Sequence, residues 1–210
     1  MNVPVPVIVV ALGDSTTAGT PLFTSPLEAP PDGRGDERSQ FTYWLMRRHR
    51  DWRVVNRGVN GDRTDQIAAR FDRDVMSVGP RAVIVIAGVN DIYQGRPARV
   101  VTAGLASIYA RAAAAHLPVV AGSIVPYNTA SAAQNAIMHE VNHWIADEAA
   151  RLGHVVFADT RRAAAAADDP DRLAGSPDGL HPDIEGYRRM AEMIAPALEA
   201  ALALQRRITK

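Results

Sequence analysis

A serine performs acyl transfer only when a neighbouring base takes its proton and fixed donors hold the charge that develops on the attacked carbonyl. Four short polar stretches carry residue types suited to such work: Gly13-Asp14-Ser15, Asn60-Gly61-Asp62, Gly88-Val89-Asn90-Asp91 and Asp178-Gly179-Leu180-His181. Ser15 is the residue the others would have to reach. It follows the apolar run Val7 to Leu12, largely β-branched, which reads as a buried parallel strand ending in a turn. In open α/β sheets the carboxyl edge of the strands, where strand order reverses, is where ligands bind. By itself Gly-Asp-Ser is an ordinary turn sequence, so its meaning depends on what the remaining chain delivers to it.

Composition narrows the partners. Lys+Arg and Asp+Glu both number 23 in 210 residues, so the formal net charge is zero and no basic face is offered to nucleic acid or an anionic membrane. A neutral small molecule fits better. The absence of cysteine removes disulfides, thiolate catalysis and cysteine-based zinc sites. The apolar run from Val3 to Leu12 is too short to span a bilayer, and it contains the strand that leads to Ser15. The sequence reads as one soluble, cytoplasmic domain over residues 1–210, with no cofactor.

The elements that must position these residues follow from periodicity. Pro4 and Pro6 place the start of the first strand near Val5 or Val7. Thr20 to Arg38, with its prolines and charges, is a long loop expected to line or cover a site beside Ser15. Ser39 is expected to cap a helix through Trp44 and Leu45 that ends near Arg47 to Arg50. Strands follow at Trp52 to Asn56, Ala82 to Ala87, Leu117 to Ile124 and His154 to Ala158. The fourth of these five strands delivers Pro126, Tyr127 and Asn128. Between them lie amphipathic helices: one capped by Thr64 with Ile67, Ala68, Phe71 and Val75 inward, one started by Pro97, and one over 131–152. The last helix carries Ile184, Tyr187, Met190 and Ile194 inward and contains Pro196, expected to kink it. This alternation predicts an α/β fold of flavodoxin-like three-layer α/β/α form, with a five-stranded parallel sheet in the order 2-1-3-4-5.

The four stretches, in order and spread over nearly the whole chain, resemble the four motif blocks of the SGNH, or GDSL-type, serine hydrolases. The first block departs only in having Thr16 where the family name has leucine. The resemblance implies metal-independent hydrolysis of carboxylic esters with short acyl or acetyl groups, through an acyl-serine intermediate. It makes Ser15 the nucleophile and His181 its base. Asp178 would fold back onto the ring Nδ1–H of His181, with Asp168, Asp169 and Asp171 as alternative carboxylates. The oxyanion donors implied are the backbone N–H groups of Ser15 and Gly61 and the side chain of Asn90. Gly58 is the rival for the glycine role, while Asp14, Asp62 and Asp91 are expected to brace their turns through backbone hydrogen bonds. Asn90 also has a plainer role available, capping its own turn.

Competing readings use other residues. Acyl transfer to an alcohol other than water would need the same serine, histidine and aspartate, and the sequence does not separate it from hydrolysis. His139-Glu140-Val141-Asn142-His143 matches the zinc-protease pattern of two histidines one turn apart. Helical phase turns both histidines away from the Ile137, Val141 and Ile145 stripe, and no third ligand stands nearby. A non-catalytic α/β binding module is a further alternative, but a glycine-rich phosphate loop is missing and the late Asp-x-x-His would be unexplained.

Overall fold

The computed structural model describes residues 5–208; Val3 and Pro4 of the opening apolar run lie outside them. In chain order the elements are β1 (Val7–Gly13), α1 (Ser15–Ala18), β2 (Phe23–Thr24), β3 (Arg34–Gly35), α2 (Phe41–Arg48), β4 (Trp52–Gly58), α3 (Thr64–Ala69), α4 (Phe71–Asp74), β5 (Ala82–Ile86), α5 (Val89–Tyr93), α6 (Ala98–Ala114), β6 (Val119–Gly122), α7 (Ala132–Arg151), β7 (Val155–Ala158), α8 (Thr160–Ala164) and α9 (Ile184–Ile208). Five strands form one sheet in the order β4-β1-β5-β6-β7. All its pairings are parallel. With the short β2-β3 ribbon set aside, this is the 2-1-3-4-5 order expected.

Alternation along β1 explains the three layers. Val10 and Leu12 join Val83 and Val85 under α3, α4, α6 and α7, where Ile67, Phe71, Leu105 and Val141 close the core. Val9 and Ala11, with Ile84 and Val120, face α2 and α9 through Phe41, Leu45, Tyr187 and Met190. Each of these residues is essentially fully buried. Burial of a side chain of this size contributes roughly 1.5 to 3 kcal/mol, so two such layers make the strand ends a rigid base. No described helix is long and apolar enough to cross a membrane.

Several local expectations are corrected. Ser39 does not cap α2: Gln40 occupies the cap position, and the Ser39 hydroxyl donates to the Gly19 carbonyl at 2.8 Å. Thr64 is the first residue of α3 rather than its cap, and its N–H is taken by Asp91 Oδ2 at 2.9 Å. In both cases the hydroxyl is a donor in a long-range bond instead, Ser39 to the Gly19 carbonyl and Thr64 to Asp91 Oδ1. The cap of α7 is regular, with Ser131 Oγ accepting from Gln134 N–H and the Gln134 side chain accepting from Ser131 N–H. Pro196 lies inside α9.

Candidate active site

The site forms where the chain changes direction in the sheet. From β1 it goes first to one flank, β4, and then to the other, β5. Gly13, the last residue of β1, pairs with Gly58 on one side and Ile86 on the other. Ser15 therefore begins α1 directly above the switch point. Asp14 caps α1, its Oδ1 accepting from the Thr16 N–H at 3.0 Å.

His181 arrives from the other end of the sequence. Its Nε2 lies 2.8 Å from Ser15 Oγ, and its Nδ1 lies 2.7 Å from Asp178 Oδ2. The turn that makes this possible is held by the other carboxylate oxygen. Asp178 Oδ1 accepts the N–H groups of Leu180 and His181, each at 2.9 Å, while Gly179 takes the left-handed φ of +76° that the turn requires. Ser176 Oγ donates to the His181 carbonyl at 2.6 Å. Burial pushes the Asp178 carboxyl up, but the His181 ring and the two backbone N–H groups outweigh it and hold the pKa below the ordinary carboxylate value. Of the alternative carboxylates, Asp171 is bonded elsewhere, to His139 and Arg161.

Asn128, which the sequence delivers after the fourth sheet strand without assigning it a role, lies six residues beyond the end of β6. Its N–H donates to the Gly179 carbonyl at 2.8 Å and its Oδ1 accepts from Leu173 N–H at 2.8 Å. It thus pins the histidine loop to the sheet.

Gly61 and Asn90 line the same pocket as Ser15 and His181. Gly58 does not. A Cβ at Gly58 would stand 2.1 Å from the Ala18 backbone nitrogen, so its role is to let β4 pass close to α1. Among the described residues, neither the Ser15 nor the Gly61 N–H donates to a protein acceptor. Asn90 Nδ2 gives one hydrogen to the Asp62 carbonyl at 3.0 Å, leaving its second hydrogen uncommitted. It does not cap its own helix, whose cap is Gly88.

Three aspartates brace these turns, by more varied means than expected. Asp91 accepts from both the N–H and the hydroxyl of Thr64. Asp62 is held instead by a side chain, Arg70 Nε, at 2.7 Å. That guanidinium also donates to Asp74, to the Arg57 carbonyl and to the Gly13 carbonyl, each within 2.8 Å. One buried arginine therefore ties the end of β1, the end of β4 and the Gly61 turn together, and only the fold reveals it.

The loop from Thr20 to Arg38 contributes no residue to the wall of the pocket. It braces the turn behind it: Ser25 Oγ donates to the Gly58 carbonyl, and the Glu28 carboxylate accepts from the N–H and side chain of Asn60.

Asp14 itself is 1 % exposed, and its Oδ2 has no hydrogen-bond partner. Burial raises its pKa from 3.8 to about 7, against the pull of the Thr16 hydrogen bonds and with help from Asp91 and Asp62. Between these values the folded chain keeps a proton that the unfolded chain has released. Stability therefore falls as pH rises through that window and levels off above about 7. Asp14→Asn mimics the protonated acid and can still accept from Thr16. The wild type should lose melting temperature relative to this variant between about pH 4 and about pH 7; parallel curves would return Asp14 to an ordinary carboxyl.

The pocket at Ser15 has a volume of about 210 Å³. Its apolar walls are Val89, Tyr93, Tyr127 and Leu180, and Thr16 and Asn60 complete it. A larger hollow of about 1130 Å³ between α7, α8 and α9 contains none of these residues and is lined both by alanines and by charged side chains, among them Arg161, Arg162, Arg189, Asp159 and Glu192. Its rim includes His139, which pairs with Asp171 at 2.7 Å. Among the described residues no three His, Asp or Glu side chains converge as a metal-ligand set.

The model of the GDSL-like lipase/acylhydrolase family matches residues 11–189. No curated protein matches the sequence. Solved structures with the same fold include a GDSL-like lipase from Bacteroides thetaiotaomicron, 21% identical over 93% of this chain and 89% of that one, with a TM-score of 0.71. A member of the lipolytic G-D-S-L family from Veillonella parvula is 20% identical over 91% and 96%, also at 0.71. A psychrotrophic esterase from Pseudoalteromonas sp., solved inhibited by monoethylphosphonate, is 15% identical over 94% and 99%, at 0.68.

Proposed function

Because the chain belongs to the GDSL-like lipase/acylhydrolase family, and so to the carboxylic ester hydrolases, we propose that it cleaves short-acyl esters at Ser15 through an acyl-serine intermediate. The observation that carries this reading is the continuous line from Asp178 Oδ2 through the His181 ring to Ser15 Oγ, with links of 2.7 and 2.8 Å.

As Ser15 Oγ attacks the ester carbonyl carbon, its proton passes to His181 Nε2, and Asp178 stabilises the resulting imidazolium through the Nδ1–H. The negative charge that grows on the carbonyl oxygen is met by the N–H groups of Ser15 and Gly61 and by the free Asn90 hydrogen. Collapse breaks the bond to the alcohol oxygen, which takes the proton from Nε2. Water then enters by the same route, gives a proton to Nε2 and bonds to the acyl carbon; collapse breaks the bond to Ser15 Oγ, which takes the proton back from Nε2 as the acid leaves. Asp14, Asp62 and Asp91 take no part in these transfers; they and Arg70 keep the donors converged.

The pocket limits the acyl group. At about 210 Å³ it is a small pocket, which suits a short acyl group. Its wall carries no Lys, Arg, Asp or Glu side chain, so the group admitted is neutral.

A fluorophosphonate, the same phosphorus chemistry that inhibits the Pseudoalteromonas esterase, should label the wild type and not Ser15→Ala. Labelling should abolish hydrolysis of p-nitrophenyl butyrate, and chelators should leave it intact. Loss of activity on chelation, restored by zinc, would transfer the chemistry to His139 and His143.

A further inference from the structure

Tyr93 forms part of the wall of the Ser15 pocket, and yet 57 % of the residue is exposed. The other apolar wall residues lie deeper: Tyr127 is buried, and Val89 and Leu180 are half-buried. Tyr93 is therefore the thin part of the wall, the side chain that stands between the pocket and solvent. It is held firmly in that place. Its ring meets the Tyr127 ring edge to face, with centroids 5.8 Å apart. Behind it, the backbone N–H groups of Gln94, Gly95 and Arg96 donate to the carbonyls of Asn90, Ile92 and Asp91 and close the end of α5. Ile92, its neighbour in the chain, is fully buried.

The direction of proton transfer decides which half of the ester meets this ring. The leaving alcohol takes its proton from His181 Nε2, so the alcohol half lies on the histidine side of the pocket. The carbonyl oxygen turns toward Gly61 and Asn90. Tyr93 comes three residues after Asn90 on α5, and residues at that spacing share a helix face. An acyl chain that leaves the carbonyl carbon away from His181 therefore runs along Tyr93.

Resting on the ester-hydrolase reading of Ser15, we infer that the Tyr93 ring sets the upper limit on acyl length. It stops the chain inside a pocket of about 210 Å³, and without it that side of the pocket opens to solvent. A longer chain then lies in a trough floored by Tyr127 instead of striking the ring. The limit belongs to the ring and not to its hydroxyl, so phenylalanine keeps it.

The test is the ratio of kcat/KM for p-nitrophenyl octanoate to that for p-nitrophenyl butyrate. In the wild type the ratio should be roughly one-tenth or less, because a single methylene more than a pocket admits costs about tenfold or more. Tyr93→Ala should raise it by roughly tenfold, since a fully buried methylene is worth about fourfold and the added ones would be half covered in the open trough. Tyr93→Phe should leave the ratio where it was. If the alanine variant does not fold, Tyr93→Leu, which still covers Tyr127 but lacks the reach of the ring, should raise the ratio roughly threefold. A wild type that accepts octanoate as readily as butyrate overturns the inference, and so does a ratio unmoved in the folded alanine or leucine variant. A variant that gains instead on acetates of longer alcohols puts the ring beside the leaving group and overturns it too. In each of these cases, continued hydrolysis of butyrate and fluorophosphonate labelling of Ser15 leave the ester-hydrolase reading standing; loss of both in the wild type removes that reading and this inference with it.

Discussion

Asp178→Asn should lower kcat by about 10⁴-fold with KM nearly unchanged, the size of loss that follows when the carboxylate partner of a catalytic histidine becomes an amide. The geometry explains why so small a change would cost so much. Asp178 Oδ1 accepts the N–H groups of Leu180 and His181, so an asparagine must keep its carbonyl oxygen there to hold the turn. Its NH₂ then faces His181 Nδ1. A donor at that point forces Nδ1 to accept and moves the ring proton to Nε2, the nitrogen 2.8 Å from Ser15 Oγ. A histidine in that tautomer cannot take the serine proton. Folding should be little affected, because both backbone bonds survive. Fluorophosphonate labelling should slow in parallel with kcat, and His181→Ala should cost at least as much. A silent Asp178→Asn would detach the carboxylate from the chemistry and leave the turn as its whole purpose.

The parts of this site that sequence makes legible are those where function and local folding use the same residues. The run ending in Gly13 declares a strand, and the polar residues after it are at once a helix cap and the proposed nucleophile. The same holds for Asp178, whose turn geometry and ring contact both follow from a spacing of three residues to His181. Strand order was legible because five apolar runs alternating with amphipathic helices leave few ways to cover both faces of a sheet.

What the sequence hid are contacts between residues far apart, with no period to announce them. Arg70 reaches the Gly13 carbonyl across 57 positions, and on a helical wheel it is only one more charged residue. Tyr93 gave no signal either, because standing between a pocket and solvent is a property of the fold alone. The segment from Thr20 to Arg38 differs from its expectation in that none of its residues lines the pocket, for a related reason. Its prolines suggested a covering loop, yet it pairs with itself in the β2-β3 ribbon and aims Ser25 and Glu28 at the backbone behind Gly61. Its effect on the site runs through the position of a turn.

The same distinction between positioning and chemistry decides what Asn90 does. Its Nδ2 gives one hydrogen to the Asp62 carbonyl and so links α5 to the Gly61 turn, a structural bond worth about 1 kcal/mol. That bond also fixes where the second hydrogen points, on the pocket wall it shares with Ser15 and Gly61. A donor held in this way gains strength only as charge develops on the carbonyl oxygen, so losing it raises the barrier without weakening substrate binding. Asn90→Ala should therefore reduce kcat by about 100- to 1000-fold, leave KM almost unchanged and slow fluorophosphonate labelling of Ser15 without abolishing it. The lost link to Asp62 should show as a small fall in melting temperature. Asn90→Asp sharpens the test, because its carboxylate would face both the Asp62 carbonyl and the developing oxyanion, and it should be at least as slow as the alanine variant. A purely structural Asn90 gives another pattern: melting temperature falls by several degrees while the folded fraction keeps near-normal kcat. That outcome would leave the oxyanion to the two backbone N–H groups of Ser15 and Gly61.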